Sequence, residues 1–246
     1  SLDGGGVRAI AALVFLRRLE AASGKKVFDI FDFFIGTSAG GINALNIGGL
    51  GMDSNELEEF WSQENLNKTM SKSFWGTGSF LQTKPKYDGI GKREVLFNTF
   101  KDLSLGESKK PVAVLAYDVE KRIPRLLSSY DEPGIKILSA ASATSAAPIY
   151  YSTQEIDDGS WLIDGGIVAN NPSLLGYAEA QKLFPSNNIK IKQFPLKQDF
   201  YGLTDNIDDV NEFVKNCNLA QTKINLDNQI KFLKTHHAFW KNGKYT

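Results

Sequence analysis

A serine enclosed by glycines, Gly36-Thr37-Ser38-Ala39-Gly40, has the pattern G-x-S-x-G. It stands between Phe33-Phe34-Ile35, which reads as a strand, and a stretch with helical spacing. That setting puts a hydroxyl on a sharp strand-to-helix turn at the C-terminal edge of a sheet. The helix that follows turns its positive N-terminus toward the same place, which favours developing negative charge. Ser38 is therefore a candidate nucleophile, and it needs a base. A second turn, Asp3-Gly4-Gly5-Gly6-Val7-Arg8, lies between the strand stub Ser1-Leu2 and another helix. Consecutive glycines let the backbone approach a ligand and aim successive N–H groups at one spot, a geometry that binds a phosphate or an oxyanion. Beside a nucleophile turn, the oxyanion is the better reading. A dinucleotide loop would need glycine where Ala9 stands, and no Gly-Lys-Ser/Thr follows to make a Walker loop. Arg8 is placed to orient a phosphate or to pair with an acid.

Two partners for the serine are open. Asp164 ends the apolar stretch Trp161-Leu162-Ile163, ahead of Gly165-Gly166, so its carboxylate reaches the sheet edge that carries Ser38. An aspartate with its ordinary pKa of about 3.9 is a weak base for an alcohol and needs desolvation and a rigid hydrogen bond. The chain has 2 histidines, His236 and His237, both near its end. The order Ser…Asp…His is formally that of an α/β-hydrolase triad. Lys234 and Trp240 flank them in a polar helical pattern, which favours a surface role.

The elements that must position these residues follow from periodicity. Ile10, Leu13, Val14, Leu16 and Leu19 recur at helical spacing, and Gly24 ends that helix. A short strand is expected over 32–35, a turn over 36–41, and a helix from near Ser38 through Ile42, Ala44 and Leu45. Strand, glycine turn, helix, repeated twice, opens an α/β fold. Beyond it come a helix over 55–63 capped by Asp53 or Ser54, and a long irregular stretch to Tyr87. Further helices are expected over 92–100, 135–144 and 172–183, with strands over 111–118, 123–128 and 161–163. Residues 208–239 read as an amphipathic helix. With no repeat and no Ser/Pro linker, 1–246 reads as a single domain whose segment 200–246 is a helical appendage of unassigned role.

The composition of the 246 residues excludes several classes. Hydrophobic residues make up 42% and charged residues 23%, too apolar for a disordered chain. Lys+Arg and Asp+Glu are each 28, so there is no basic excess for non-specific nucleic-acid binding. The single Cys217 cannot pair internally, which fits a reducing compartment. No apolar run approaches the ~18–20 residues of a membrane span. The first residues form a glycine loop rather than the basic start of a signal peptide. The expected location is cytoplasmic with transient membrane association, secretion staying open.

Taken together, the motifs resemble the patatin-like phospholipase family. Asp3–Arg8 is similar to its glycine-rich loop, Gly36–Gly40 to its serine elbow, and Asp164-Gly165 to its acid motif. The stretch Ala143-Thr144-Ser145-Ala146-Ala147-Pro148-Ile149-Tyr150-Tyr151 and the stretch Gly166-Ile167-Val168-Ala169-Asn170-Asn171-Pro172 follow the family pattern too. The resemblance runs from Ser1 to about Phe184. It implies a central, mostly parallel sheet between helices, a three-layer α/β/α fold. It also implies lipid acyl-ester hydrolysis by a dyad of Ser38 and Asp164, with the N–H groups of Gly4, Gly5 and Gly6 as oxyanion hole. Neither cofactor nor metal is expected. Ala9 departs from the family's final glycine of the first loop, Ser1-Leu2 is short for the entering strand, and Lys192-Gln193-Phe194-Pro195 interrupts an expected strand and turn. Residues are therefore expected to be missing near one or both places.

The expected partner is a phospholipid or other lipid, met at a peripheral membrane surface. Met70 to Tyr87 is the candidate contact, because Phe74, Trp75 and Phe80 sit among glycines and lysines. The alternative is that these rings fill the core under a long loop. A small-molecule or protein activator is open, as is the competing reading of an inactive lipid- or nucleotide-binding relative.

Overall fold

A computed structural model describes residues 1–72 and 85–185. After a one-turn helix at Gly6–Arg8, helix α1 (Ala9–Ser23) stops at Gly24, whose φ of 68° gives the left-handed cap expected there. A single turn, α2 (Val27–Ile30), precedes strand β1 (Phe34–Thr37), which runs into α3 (Ala39–Ala44) and a π-helical turn over Leu45–Gly49. Helix α4 (Ser54–Phe60) starts from a capping box: Asp53 accepts from the N–H of Glu56, and Glu56 accepts from the N–H of Asp53. Helix α5 (Gln63–Thr69) falls in the stretch that reads as irregular. It buries only Leu66, so no periodic apolar stripe announces it. Helix α6 (Ile90–Phe100), strands β2 (Val112–Asp118) and β3 (Ile123–Ser128), and helix α7 (Ile137–Thr144) follow within two residues of expectation. The short β4 (Gln154–Glu155), β5 (Trp161–Asp164), α8 (Gly166–Ala169) and α9 (Ser173–Leu183) complete the described chain.

Strand β2 is the axis of the molecule. Val112 through Leu115 are buried without alternation, as expected of a strand covered on both faces. One edge pairs along its length with antiparallel β3, the hairpin partner. The other edge is shared. β1 pairs parallel with its first half, Phe34 beside Val112 to Thr37 beside Leu115. β5 pairs antiparallel with its second half, Ala116 beside Asp164 to Asp118 beside Leu162. The expected parallel pairing thus holds for β1–β2 and for the Leu2–Gly36 bridge, while the other described pairs are antiparallel and the sheet is mixed.

Helices cover both faces. Phe34 and Ile35 point to opposite sides of the strand. Gly48 of the π turn lies against Phe34, and Gly176 of α9 lies against Ile35. The main core joins Leu16, Leu45, Leu57, Leu96, Phe100, Leu127 and Leu162 to β2. Among the described residues no helix is long and apolar enough to cross a membrane. The expected C-terminal helix, His236, His237, Cys217, the interruption at Lys192, and the rings of Phe74, Trp75 and Phe80 lie outside the described residues.

Candidate active site

The C-terminal ends of β1 and β5 run toward each other along one edge of β2, and they meet in its middle. Thr37 is the partner of Leu115 and Asp164 is the partner of Ala116. Ser38 follows Thr37 directly. The two candidate side chains are therefore brought together by adjacent register positions on one central strand.

Ser38 is 4% exposed and has φ 56°, ψ −130°. A non-glycine residue in that region is strained, and such strain concentrates where a side chain must be aimed. The turn is tight. A Cβ on Gly36 would sit 2.3 Å from the Gly40 carbonyl oxygen, and one on Gly40 would sit 2.3 Å from that of Asp3. Only hydrogen fits at either place, so both glycines of the motif are sterically required. The Ser38 N–H donates to Thr144 Oγ1 at 3.0 Å, and Thr144 Oγ1 donates to Leu115 O at 2.6 Å. Through this hydroxyl, α7 fixes the strained turn to β2.

Asp164 is 3% exposed. Its N–H donates to Ala146 O at 3.1 Å, and its Oδ1 accepts from Gly166 N–H at 2.7 Å. Oδ2 is buried with no well-formed hydrogen bond among the described residues, although the Ser38 hydroxyl is close enough to favour its charge. Burial pushes this carboxyl up to about 6, with Ser38, Gly166 N–H and the Lys92 ammonium acting against the rise. A carboxylate of that strength, with a spare buried oxygen, is better matched to accept a hydroxyl proton than a solvated aspartate.

The first loop sits against the turn. A Cβ on Gly4 would lie 3.1 Å from Ser38 Cβ. The structure changes one expectation here. The Gly4 N–H donates to Asn170 O at 2.9 Å, and Asn170 Nδ2 donates to Gly4 O at 3.0 Å, so the Gly4 N–H is committed to the protein. Among the described residues the N–H groups of Gly5 and Gly6 donate to no other backbone group, and Gly6 lines the cleft with Ser38. Arg8 is the N-cap of α1, half-buried, and among the described residues it is Val7 rather than Arg8 that lines the cleft.

That cleft holds about 590 Å³ of empty space with its open mouth included. Ser38, Lys92 and Ser145 form its polar part, and Val7, Ile42, Leu66, Met70, Tyr87 and Tyr151 its apolar walls. A smaller cavity of about 290 Å³ shares Ile42, Trp61, Leu66, Thr69 and Lys92 with it and is otherwise lined by Phe60, Asn65, Val95 and Leu96.

Three site residues escape the sequence reading. Thr144 and Asn170 stand inside stretches that follow the family pattern, but their roles are contacts between distant loops that spacing does not disclose. Lys92 is 4% exposed on α6, where Val95, Leu96 and Phe100 are also buried. A lysine on the apolar stripe of an amphipathic helix is the signal that could have found it.

The patatin-like phospholipase family model matches residues 1–175. A cGAMP-activated phospholipase of Vibrio cholerae is 31% identical over 205 residues, which cover 73% of this chain and 56% of that protein. A cGAMP-activated phospholipase of Pseudomonas aeruginosa is 29% identical over 194 residues, 74% of this chain and 56% of that one. Patatin-like protein 2 of Arabidopsis thaliana is 27% identical over 239 residues, 82% of this chain and 56% of the relative. The chain spans about half the length of the curated relatives it matches. The paired strand ends, the two glycine turns and a match across most of the described residues agree, and the chain belongs to the patatin-like phospholipase family.

Proposed function

We propose that this chain hydrolyses fatty-acyl ester bonds of phospholipids or related lipids through Ser38 and Asp164. The observation that carries the reading is the meeting of Ser38 and Asp164 at adjacent register positions of β2, beside an apolar cleft. Ser38 Oγ attacks the acyl carbonyl carbon while its proton passes to Asp164 Oδ2. The carbonyl oxygen, now negative, takes hydrogen bonds from Gly5 and Gly6 N–H, each such donor being worth about 2.7–4 kcal/mol in the transition state. Collapse breaks the ester C–O bond, and the leaving alcohol takes the proton from Asp164. Water then attacks the acyl-serine and gives a proton to Asp164; the bond between Ser38 Oγ and the acyl carbon breaks, Asp164 returns the proton to Oγ, and the fatty acid leaves.

The cleft walls suit an acyl chain, and an exposed lipid aggregate is the natural source of one, so peripheral contact with a membrane belongs to the reading. Two relatives are named for activation by cGAMP, and a small-molecule activator is carried over to this chain on that ground alone.

The test combines two readouts on the purified protein. A fluorophosphonate probe should label the wild type on Ser38, and phosphatidylcholine vesicles should release free fatty acid. Ser38→Ala should lose labelling and lower fatty-acid release by about 10³-fold or more. Undiminished release by a folded Ser38→Ala protein would end the proposal.

A further inference from the structure

Lys92 is the one buried cation in the described cleft that the reaction above does not use. Its Nζ donates to Ser145 O at 3.2 Å, Ser145 Oγ at 3.2 Å and Ser142 O at 3.4 Å. It also lies 4.1 Å from the centre of the Tyr151 ring. An ammonium has three hydrogens, and three oxygens here receive them. The remaining side meets an aromatic face. Nothing is left over for a substrate phosphate, although Lys92 lines the same cleft as Ser38.

The contacts converge on the end of α7. Ser142 lies in its last turn and Ser145 caps it, where unpaired carbonyls carry the negative end of the helix dipole. That same turn holds both reacting residues: Thr144 accepts from the Ser38 N–H, and Ala146 O accepts from the Asp164 N–H. A residue wanted only to fill the stripe with Val95, Leu96 and Phe100 would be apolar, since burying an ammonium is costly. We propose that Lys92 is a positioning residue, which pins the C-terminal turn of α7, and with it the anchors of Ser38 and Asp164, without touching substrate.

The electrostatics support this. Burial pushes the Lys92 amine down to about 7, and Asp164 opposes that shift. Lys92 in turn draws the Asp164 carboxyl down against its burial. The other titratable groups on the neighbouring elements are Arg93 and Glu94 on α6, Glu64 and Lys68 on α5, Tyr87, Tyr150 and Tyr151 in the cleft wall, Asp3 and Arg8 in the first loop, and Asp118 on β2. Lys68 pairs with both Glu64 and Glu94 at the surface. Asp164 and Lys92 each oppose the shift that burial imposes on the other.

The proposal rests on Asp164 being the base, and its test separates the two claims. The kcat/KM for a neutral, soluble short-chain ester is measured between about pH 4.5 and 8 for wild type, Lys92→Met and Lys92→Arg. Removing the positive charge should move the acid limb of Lys92→Met to higher pH by about one unit. Its loss should fall on kcat, with KM nearly unchanged. Lys92→Arg keeps the charge and should return the limb close to the wild-type position. Should Lys92→Met fail to fold, Lys92→Gln, which still donates to the same carbonyls, carries the same expectation. An unmoved acid limb in the folded neutral variant, or a loss confined to KM, overturns the role given to Lys92. Ser38→Ala and Asp164→Asn run alongside: if either stays active, it is the dyad that falls, and if both are dead while the limb is unmoved, only the Lys92 proposal falls.

Discussion

Asp164 is held in a state its side chain does not favour. Its folded pKa of about 6 lies above the ordinary 3.8, so the folded protein keeps this proton where the unfolded chain has released it. Its contribution to folding is therefore fully present below about pH 4 and is lost as pH rises through about 6. Near pH 7.5 the charged, buried carboxylate costs up to about 3 kcal/mol, an upper figure because the environment relaxes. Asp164→Asn is isosteric and uncharged. Thermal unfolding should show it more stable than wild type at pH 7.5, with the gap closing toward pH 4. A variant less stable at pH 7.5 would mean that its neighbours already compensate the burial. The residue was legible as a candidate because a strand ended on it before two glycines. Its strength as a base was not, since its burial comes from tertiary packing such as that of α7 against β5, which spacing along the chain does not disclose.

At the scale of elements, the glycine turns are where sequence and structure agree most closely, and the reason is steric. Gly36 and Gly40 mark places where backbone meets backbone, and no other residue can stand there. Gly40 shows this across loops: its missing side chain leaves room for the carbonyls of Asp3 and Leu2, 2.3 and 2.4 Å from where a Cβ would be. Gly40→Ala should force the first loop and the serine turn apart, destabilising the protein by about 1–3 kcal/mol in a urea melt and lowering activity more than that loss explains. Gly134→Ala, with nothing within 4 Å of the added carbon, is the matched control and should be near neutral. Equal stability of the two variants would contradict the steric reading. Strand direction was much less legible. The apolar run at Trp161–Asp164 marks a strand, but alternation carries no sign of direction, and antiparallel entry of β5 is decided by the route of the chain after α7. Helix α5 was hidden for the opposite reason, having polar residues around a single buried Leu66.

For the molecule as a whole, β2 does what the order of motifs along the chain cannot reveal. It collects a turn near residue 38 and a strand end near residue 164 on one edge, and of the two it is Ser38 that lines the apolar cleft. The balanced charge of +0 in this chain supplies no general attraction to an anionic surface, so the lipid access proposed above rests on local features. The central claim is that a carboxylate, rather than a histidine, takes the proton of Ser38. The measurement that tests it most directly is kcat/KM for phospholipid hydrolysis by Asp164→Asn set beside that of the double variant His236→Ala, His237→Ala. The account predicts a loss of about 10³-fold or more for Asp164→Asn and near wild-type activity for the histidine pair. Loss of activity in the histidine variant, with Asp164→Asn spared or only partly impaired, would contradict it.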